Sequence, residues 1–403
     1  MIMRKLSPVL FLFSLILICN IMVGSAQAQQ NISVAVGMEN YDFTPFFAEF
    51  TKKTNITVDL LAFANNDLKS ELLQQATQDG LPDVIIVPSD YMGLDFLNLS
   101  EVPATWLSTK LTPAVRHNSQ VNGVYKGVPL LFGNHLLLYY NKKLLTNPPV
   151  AWQDFAALKQ NIGTDTELIA WNYLEMFWFA AFHNTFGTPL IANGKANLNS
   201  PQMVATLKWY KQLRDQLNLD TDCNYTCVNQ KFEGGKLAMV INGTWIFNRY
   251  GEALGDQLGV AVLPKYHEHP MSPFYSAHVM AFPNQGLTGA KSSALKKLVE
   301  FIQSQPLQKQ VWQKLQSLPT LDSELNALDK TSQQHNNRNL HHMIKALESA
   351  TAMPNDPEMA YIWEAMLKGV TRYLADVFDA EQAAQYMQYT AEKSIEHAKQ
   401  PQP

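Results

Sequence analysis

Short apolar runs alternate with amphipathic stretches along most of this chain. Residues 32–36 form the first such run. Thr44 then offers a helix cap with Pro45 at the first helical position, and Phe46, Phe47 and Phe50 recur on one face at helical spacing. Residues 56–62 read as a second strand, Asp67 as the cap of a helix carrying Leu68, Leu72, Leu73 and Ala76, and residues 84–87 as a third strand. This βαβαβ rhythm predicts a mostly parallel sheet covered by helices. A longer signal follows at residues 232–245. Gly234 and Gly235 suit a helix end, residues 237–241 are a continuous apolar run, and Asn242 and Gly243 supply turn chemistry. Trp245 therefore falls beyond the carboxyl end of a buried strand, where the crevice of an open α/β sheet lies; packing in the core is the alternative reading for it. Residues 258–263 and 279–282 give further strands, residues 290–315 a helical region with Phe301 and Trp312 in the core, and Asp379 caps the last helices. Leu318, Pro319 and the polar stretch to Asn339 read as a return connection between two lobes.

Length changes the picture first. Single cores stop growing at about 250 to 300 residues, so 403 residues with 46% hydrophobic content predict two lobes. A net charge of −4 gives no electrostatic footprint for nucleic acid. At the start, Arg4 and Lys5 precede an apolar stretch over residues 9–18, and Ala26-Gln27-Ala28 offers small residues for cleavage. Residues 1–28 thus read as a secretory signal, with Gln29 first in the mature chain. Cys19 is poorly placed for lipid attachment, and no later segment supplies the roughly 20 apolar residues that would cross a bilayer. The expectation is a soluble protein of the periplasm. Cys223 and Cys227 remain; in an oxidising compartment they are expected to pair across a very short loop, free thiols being the alternative.

Several stretches share one likeness. They are the run 232–245 with Trp245, the turn after residue 87 with Asp90, residues 127–130 and 136–145 with Tyr140-Asn141-Lys142, the spacing Asn172, Glu175, Phe177, and Met353-Pro354-Asn355 ahead of Trp363. Together they resemble the family 1 extracellular solute-binding proteins, the receptors of sugar importers, and most of all their maltose/maltodextrin-binding branch. The resemblance implies an α/β, two-lobed periplasmic-binding-protein architecture of the class II type, each lobe a mixed, mostly parallel sheet flanked by helices. It places residues 29–133 and 277–323 in the N-terminal lobe, 134–276 and 324–403 in the C-terminal lobe, and hinge crossovers near 131–138, 273–279 and 318–335.

It also implies a ligand site. Pyranose rings present apolar C–H faces and polar hydroxyl edges, so flat aromatic side chains supply area and a few acceptors fix orientation. Trp245, Trp363 and Phe177 are the implied platforms, and Glu175 and Asp90 the implied acceptors; a turn-stabilising role is the alternative for Asp90. The branch differs here in telling places. Asn134 stands where a sugar-binding glutamate would be expected, Val87 replaces a tryptophan, Tyr91 an arginine, and Glu39 an early basic contact. Because an unmatched buried polar group costs about 1 to 3 kcal/mol, such changes alter which sugar is preferred. Trp171 is open between pocket rim and interior, while Trp178, Phe179 and Phe182 read as core.

Other chemistry is poorly supported. His267-Glu268-His269 and His341-His342 lack third and fourth zinc ligands at motif spacing, Gly234-Gly235-Lys236 lacks the spacing of a phosphate-binding loop, and no Gly-x-Ser-x-Gly is present. No cofactor is expected. The reading is a monomeric, non-enzymatic receptor that closes on a carbohydrate, by expectation a di- or oligosaccharide, and presents it to an inner-membrane ABC permease, with a chemoreceptor as a further potential partner. The alternatives are a receptor for a polyamine or peptide, or a secreted carbohydrate-active enzyme whose two carboxylates flank a glycosidic bond.

Overall fold

The computed structural model describes residues 30–400 apart from 39–40, 64–66, 79 and 164. The predicted signal at 1–28 with Cys19, and Glu39, lie outside the described residues. Within them no helix is long and apolar enough to cross a membrane.

Two sheets organise the chain. Their strands, in order, are β1 (Asn31–Val36), β2 (Thr57–Ala62), β3 (Val84–Pro88), β4 (Gly127–Gly133), β5 (Leu136–Asn141), β6 (Glu167–Ala170), β7 (Leu237–Gly243), β8 (Leu258–Ala261), β9 (Phe274–Ala281) and β10 (Thr351–Ala352). The first sheet runs β10-β9-β3-β1-β2, with β4 on the other edge of β9. The second runs β8-β5-β7-β6. The chain passes from one to the other between β4 and β5, through Asn134 and His135 alone, and returns between β8 and β9.

The second sheet departs from the mostly parallel pattern expected. Both β7 and β8 pair antiparallel to β5, and only β6 with β7 is parallel. The cause is the tight crossing: two residues cannot make a parallel crossover, so β5 continues onward from β4 and enters the second sheet against the direction of its neighbours. Its pattern explains the unbroken apolar runs. Leu137 and Tyr139 of β5 pack into one core, Leu136 and Leu138 into the other, so both faces are covered.

Local chemistry corrects two other expectations. Helix Thr44–Thr54 is not capped by Thr44; Asp42 Oδ1 accepts the Thr44 N–H at 2.9 Å, because Phe43 turns into the core and brings the earlier carboxylate round. Asp67 precedes helix Leu68–Ala76 in a helical conformation and makes no side-chain cap bond. The polar return between the lobes runs largely through helix Asp322–Gln334, whose polar side chains are mostly exposed. At the far end Asp379 does cap helix Ala380–Ala398, reciprocally with Gln382.

A binding cavity between the two sheets

A cavity of about 530 Å³ lies between the sheets, at the carboxyl ends of β1, β3, β6 and β7. That is the size and the place expected of a small-ligand site in open α/β sheets.

The second sheet supplies the aromatic wall. Trp245 follows β7, and Gly243 makes its position attainable: a Cβ there would overlap the six-membered ring of the indole. The Trp245 Nε1–H donates to Tyr225 Oη at 3.0 Å. Phe177 lies tilted to it with centroids 5.9 Å apart, and Trp178 meets it edge-on at 5.9 Å. Trp178 is buried, as expected of a core residue, yet it also lines the cavity; its Nε1–H donates to the Ile241 carbonyl at 2.8 Å and fixes the ring there. Trp171 is interior, donating to Tyr210 Oη at 2.7 Å.

Asn172 and Glu175 occupy the turn between β6 and helix Met176–Asn184, and both line the cavity. The Glu175 side chain meets water in the cleft but is walled in around it, which pushes its carboxyl above the usual range against the pull of the Phe177 and Met176 backbone N–H groups.

The first sheet supplies the facing wall. Asp90 and Tyr91 sit in the single turn Ser89–Gly93 that follows β3. Burial pushes the Asp90 carboxyl up to about 6, opposed by its own and the Tyr91 backbone N–H and by Lys69, and helped by Glu175. Burial also raises the Tyr91 phenol, so it stays neutral. Beside them Tyr41 and His278 meet edge-on, centroids 6.3 Å apart. His278 pairs with Pro88 at the end of β3, which places it at the cavity, and the partner strand β4 carries a bulge at Leu130 opposite it. The imidazole is 6% exposed and makes no hydrogen bond among the described residues. Burial holds its pKa down near 4, so it is neutral at physiological pH.

A third feature comes from a turn bracketed by sulfur. Cys223 and Cys227 form a disulfide. The three residues it encloses, Asn224, Tyr225 and Thr226, all line the cavity, and Asn224 Oδ1 accepts the Cys227 N–H at 3.1 Å to cap helix Tyr225–Glu233. Among the described residues Asp220, Cys223 and Cys227 are the one metal-sized cluster, and its two sulfurs are bonded to each other. Arg249, also in the wall, is held by Glu233 at 2.6 Å.

Of the residues singled out from sequence, Trp245, Phe177, Glu175, Asp90, Tyr91 and Asn134 meet in this cavity. Asn134 has a left-handed backbone at φ 43° and donates its Nδ2 to Ser276 Oγ at 2.7 Å, so half its amide is already engaged. Trp363 is not in this wall. It is half-buried at the second turn of helix Met359–Leu374, edge-on to Phe274 at 6.2 Å, and it is buried Phe274 that reaches Phe177, at 6.5 Å. The residues that sequence reasoning missed are Tyr41, His278, Arg249, Met353 and the turn 224–226. For the turn a signal existed, since a four-residue cysteine spacing pins whatever lies inside it; His278 had none, being part of an apolar strand.

Two α/β sheets with a polar and aromatic cleft between them define a two-lobed solute-binding protein. The chain belongs to the bacterial extracellular solute-binding protein family, whose profile matches residues 46–339. It is 26% identical over 270 residues to the maltodextrin-binding protein MdxE of Bacillus subtilis, a match spanning 60% of each chain. It is 22% identical over 349 residues to a maltotriose-binding protein of Pyrococcus abyssi, covering 83% of this chain and 75% of that one. Among solved structures, the maltose/maltodextrin-binding domain MalE from Bdellovibrio bacteriovorus bound to maltotriose superposes with a TM-score of 0.79 and 26% identity, over 91% of this chain and all of the other. The family and these relatives are binding proteins rather than enzymes.

Proposed function

We propose that this protein is the periplasmic receptor of an ABC sugar importer, capturing a di- or oligosaccharide and delivering it to an inner-membrane permease. The observation that carries the reading is the cavity itself: an indole and a phenyl plane on one side, carboxylates and amides on both, in a volume of about 530 Å³. Trp245 and Phe177 cover the apolar face of a ring, while Glu175, Asp90 and Asn172 take its hydroxyls. The likeness to maltodextrin and maltotriose binders supports the same class of ligand. Trp363 extends this platform as an outer subsite beyond Phe274, and Glu39 and Asn134 contribute polar contacts at the cleft.

The lobes divide as 29–133 with 277–323, and 134–276 with 324–403, and they move about the crossovers near 131–138, 273–279 and 318–335. Ligand contacts from both walls make the closed arrangement favourable, which is the differential affinity a population shift requires. The protein acts as a monomer, without cofactor and without catalysis, and it reaches the periplasm by the signal at residues 1–28. Calorimetric titration with mono-, di- and oligosaccharides tests the reading. Micromolar or tighter binding that falls at least tenfold in Trp245→Ala, with unfolding unchanged, is the expected result. Steady release of shortened products from oligosaccharide would refute it.

A further inference from the structure

The charge of the cavity goes beyond what a neutral sugar needs. Asp90 comes from the first-sheet wall and Glu175 from the second, and neither carboxylate has an ion-pair partner among the described residues. Arg249, the cationic side chain in the described wall, is already taken: its Nη2 donates to Glu233 Oε2 at 3.1 Å, and its Nε lies 2.6 Å from the other carboxylate oxygen as an ion pair. Lys69 acts on Asp90 only through space and stands exposed on its helix. The charge of Glu175 acts across the gap against the ionisation of Asp90. A second, independent feature points at a ligand here. His278 is nine-tenths buried, neutral, aimed into the same cavity and unpartnered, so it offers one acceptor and one donor without adding positive charge.

Closing the lobes on a neutral saccharide would desolvate two like charges with no counter-charge between them, the costly arrangement for buried ions. Hydroxyls satisfy hydrogen bonds but leave the charge. Resting on the sugar-binding reading above, we propose that the cavity selects a saccharide that carries an ammonium group, an amino sugar seated between Asp90 and Glu175 with its ring against Trp245 and Phe177. An ammonium supplies three donors and the missing positive charge at once, and the neutral His278 accepts from it or from a neighbouring hydroxyl. A linear polyamine would also neutralise the pair but would leave the ring platform without a matching face.

Calorimetry on the mature wild-type protein at neutral pH, with four probes, tests this: the glucosamine disaccharide, its N-acetylated counterpart, maltotriose and spermidine. A charge-assisted contact predicts that the glucosamine disaccharide binds about tenfold to a hundredfold more tightly than the N-acetylated form. Asp90→Asn and Glu175→Gln each bring the two sugars to within about threefold, with unfolding midpoints confirming a folded protein. Equal or tighter binding of the N-acetylated sugar or maltotriose overturns the amino-sugar proposal and leaves the sugar receptor standing. Binding of spermidine with no saccharide overturns both, and silence across all four probes overturns the proposal.

Discussion

Asp90 exposes a tension between stability and binding that can be measured without any ligand. Its carboxyl is pushed from 3.8 to about 6, mainly by burial, with Glu175 adding to the effect and Lys69 and the backbone N–H groups of residues 90 and 91 opposing it. A carboxyl with a raised folded pKa holds its proton longer in the folded state than in the unfolded one. The native protein therefore loses stability as pH climbs from about 4 to about 6, and bears the full loss above that window. A shift of about 2 units at 1.36 kcal/mol each sets the loss at about 3 kcal/mol. Asp90→Asn removes the titration while keeping the shape. Urea unfolding of the ligand-free variant should therefore show it more stable than wild type by about 1 kcal/mol at about pH 4.5 and by about 3 kcal/mol at about pH 7.5. The growth of that gap is the diagnostic, because a difference in packing alone would be the same at both values. A gap that stays flat, or shrinks as pH rises, would refute the claim that a desolvated carboxylate is held in the cleft.

Three further outcomes follow from the same geometry. Gly243→Ala places a methyl group where the Trp245 indole lies, so the ring must swing away from Phe177; tryptophan fluorescence should change and sugar affinity fall at least tenfold, and unaltered affinity would show that the indole is not a platform. Replacing both Cys223 and Cys227 by serine should lower unfolding stability by at most about 2 kcal/mol, since the loop is short, and weaken ligand binding severalfold because the turn 224–226 lines the cavity; alkylation before reduction should find neither thiol. Asn355 accepts from Ser89 Oγ at 2.9 Å and donates to the Asn118 and Gln120 carbonyls at 2.9 and 3.1 Å, tying the segment before helix Met359–Leu374 to the loops beside Asp90. Asn355→Ala should cost about 2 to 4 kcal/mol in urea unfolding, and a cost under about 0.5 kcal/mol would show that these bonds are replaced by water.

What the chain revealed in advance was whatever rests on spacing along one element. The run at residues 237–241 with glycines before it and Asn242-Gly243 after it reads as a strand closing on a turn, and that turn carries Trp245 to the cavity. Asp90 and Glu175 were legible for the same reason: each sits in the first turn after a strand, and strand ends in such sheets converge on one crevice. Positions set by tertiary contact were not. His278 looks like one more member of a buried strand, and only its pairing beside Pro88, at the end of β3, brings it to the cleft. Trp363 shows the converse: its neighbourhood matches a ligand-stacking pattern, but Phe274, from a strand some ninety residues earlier in the chain, stands between it and the cavity wall. The missed cap at Thr44 has this character too, because the burial of Phe43 chose which carboxylate reaches the free N–H. Sequence pattern thus finds the walls of such a cleft, since each wall is the end of a local element. The charge between the walls is a property of the pair, and it is that pair, Asp90 facing Glu175 with Arg249 already bound to Glu233, that makes an ammonium-bearing ligand the sharper reading of this receptor.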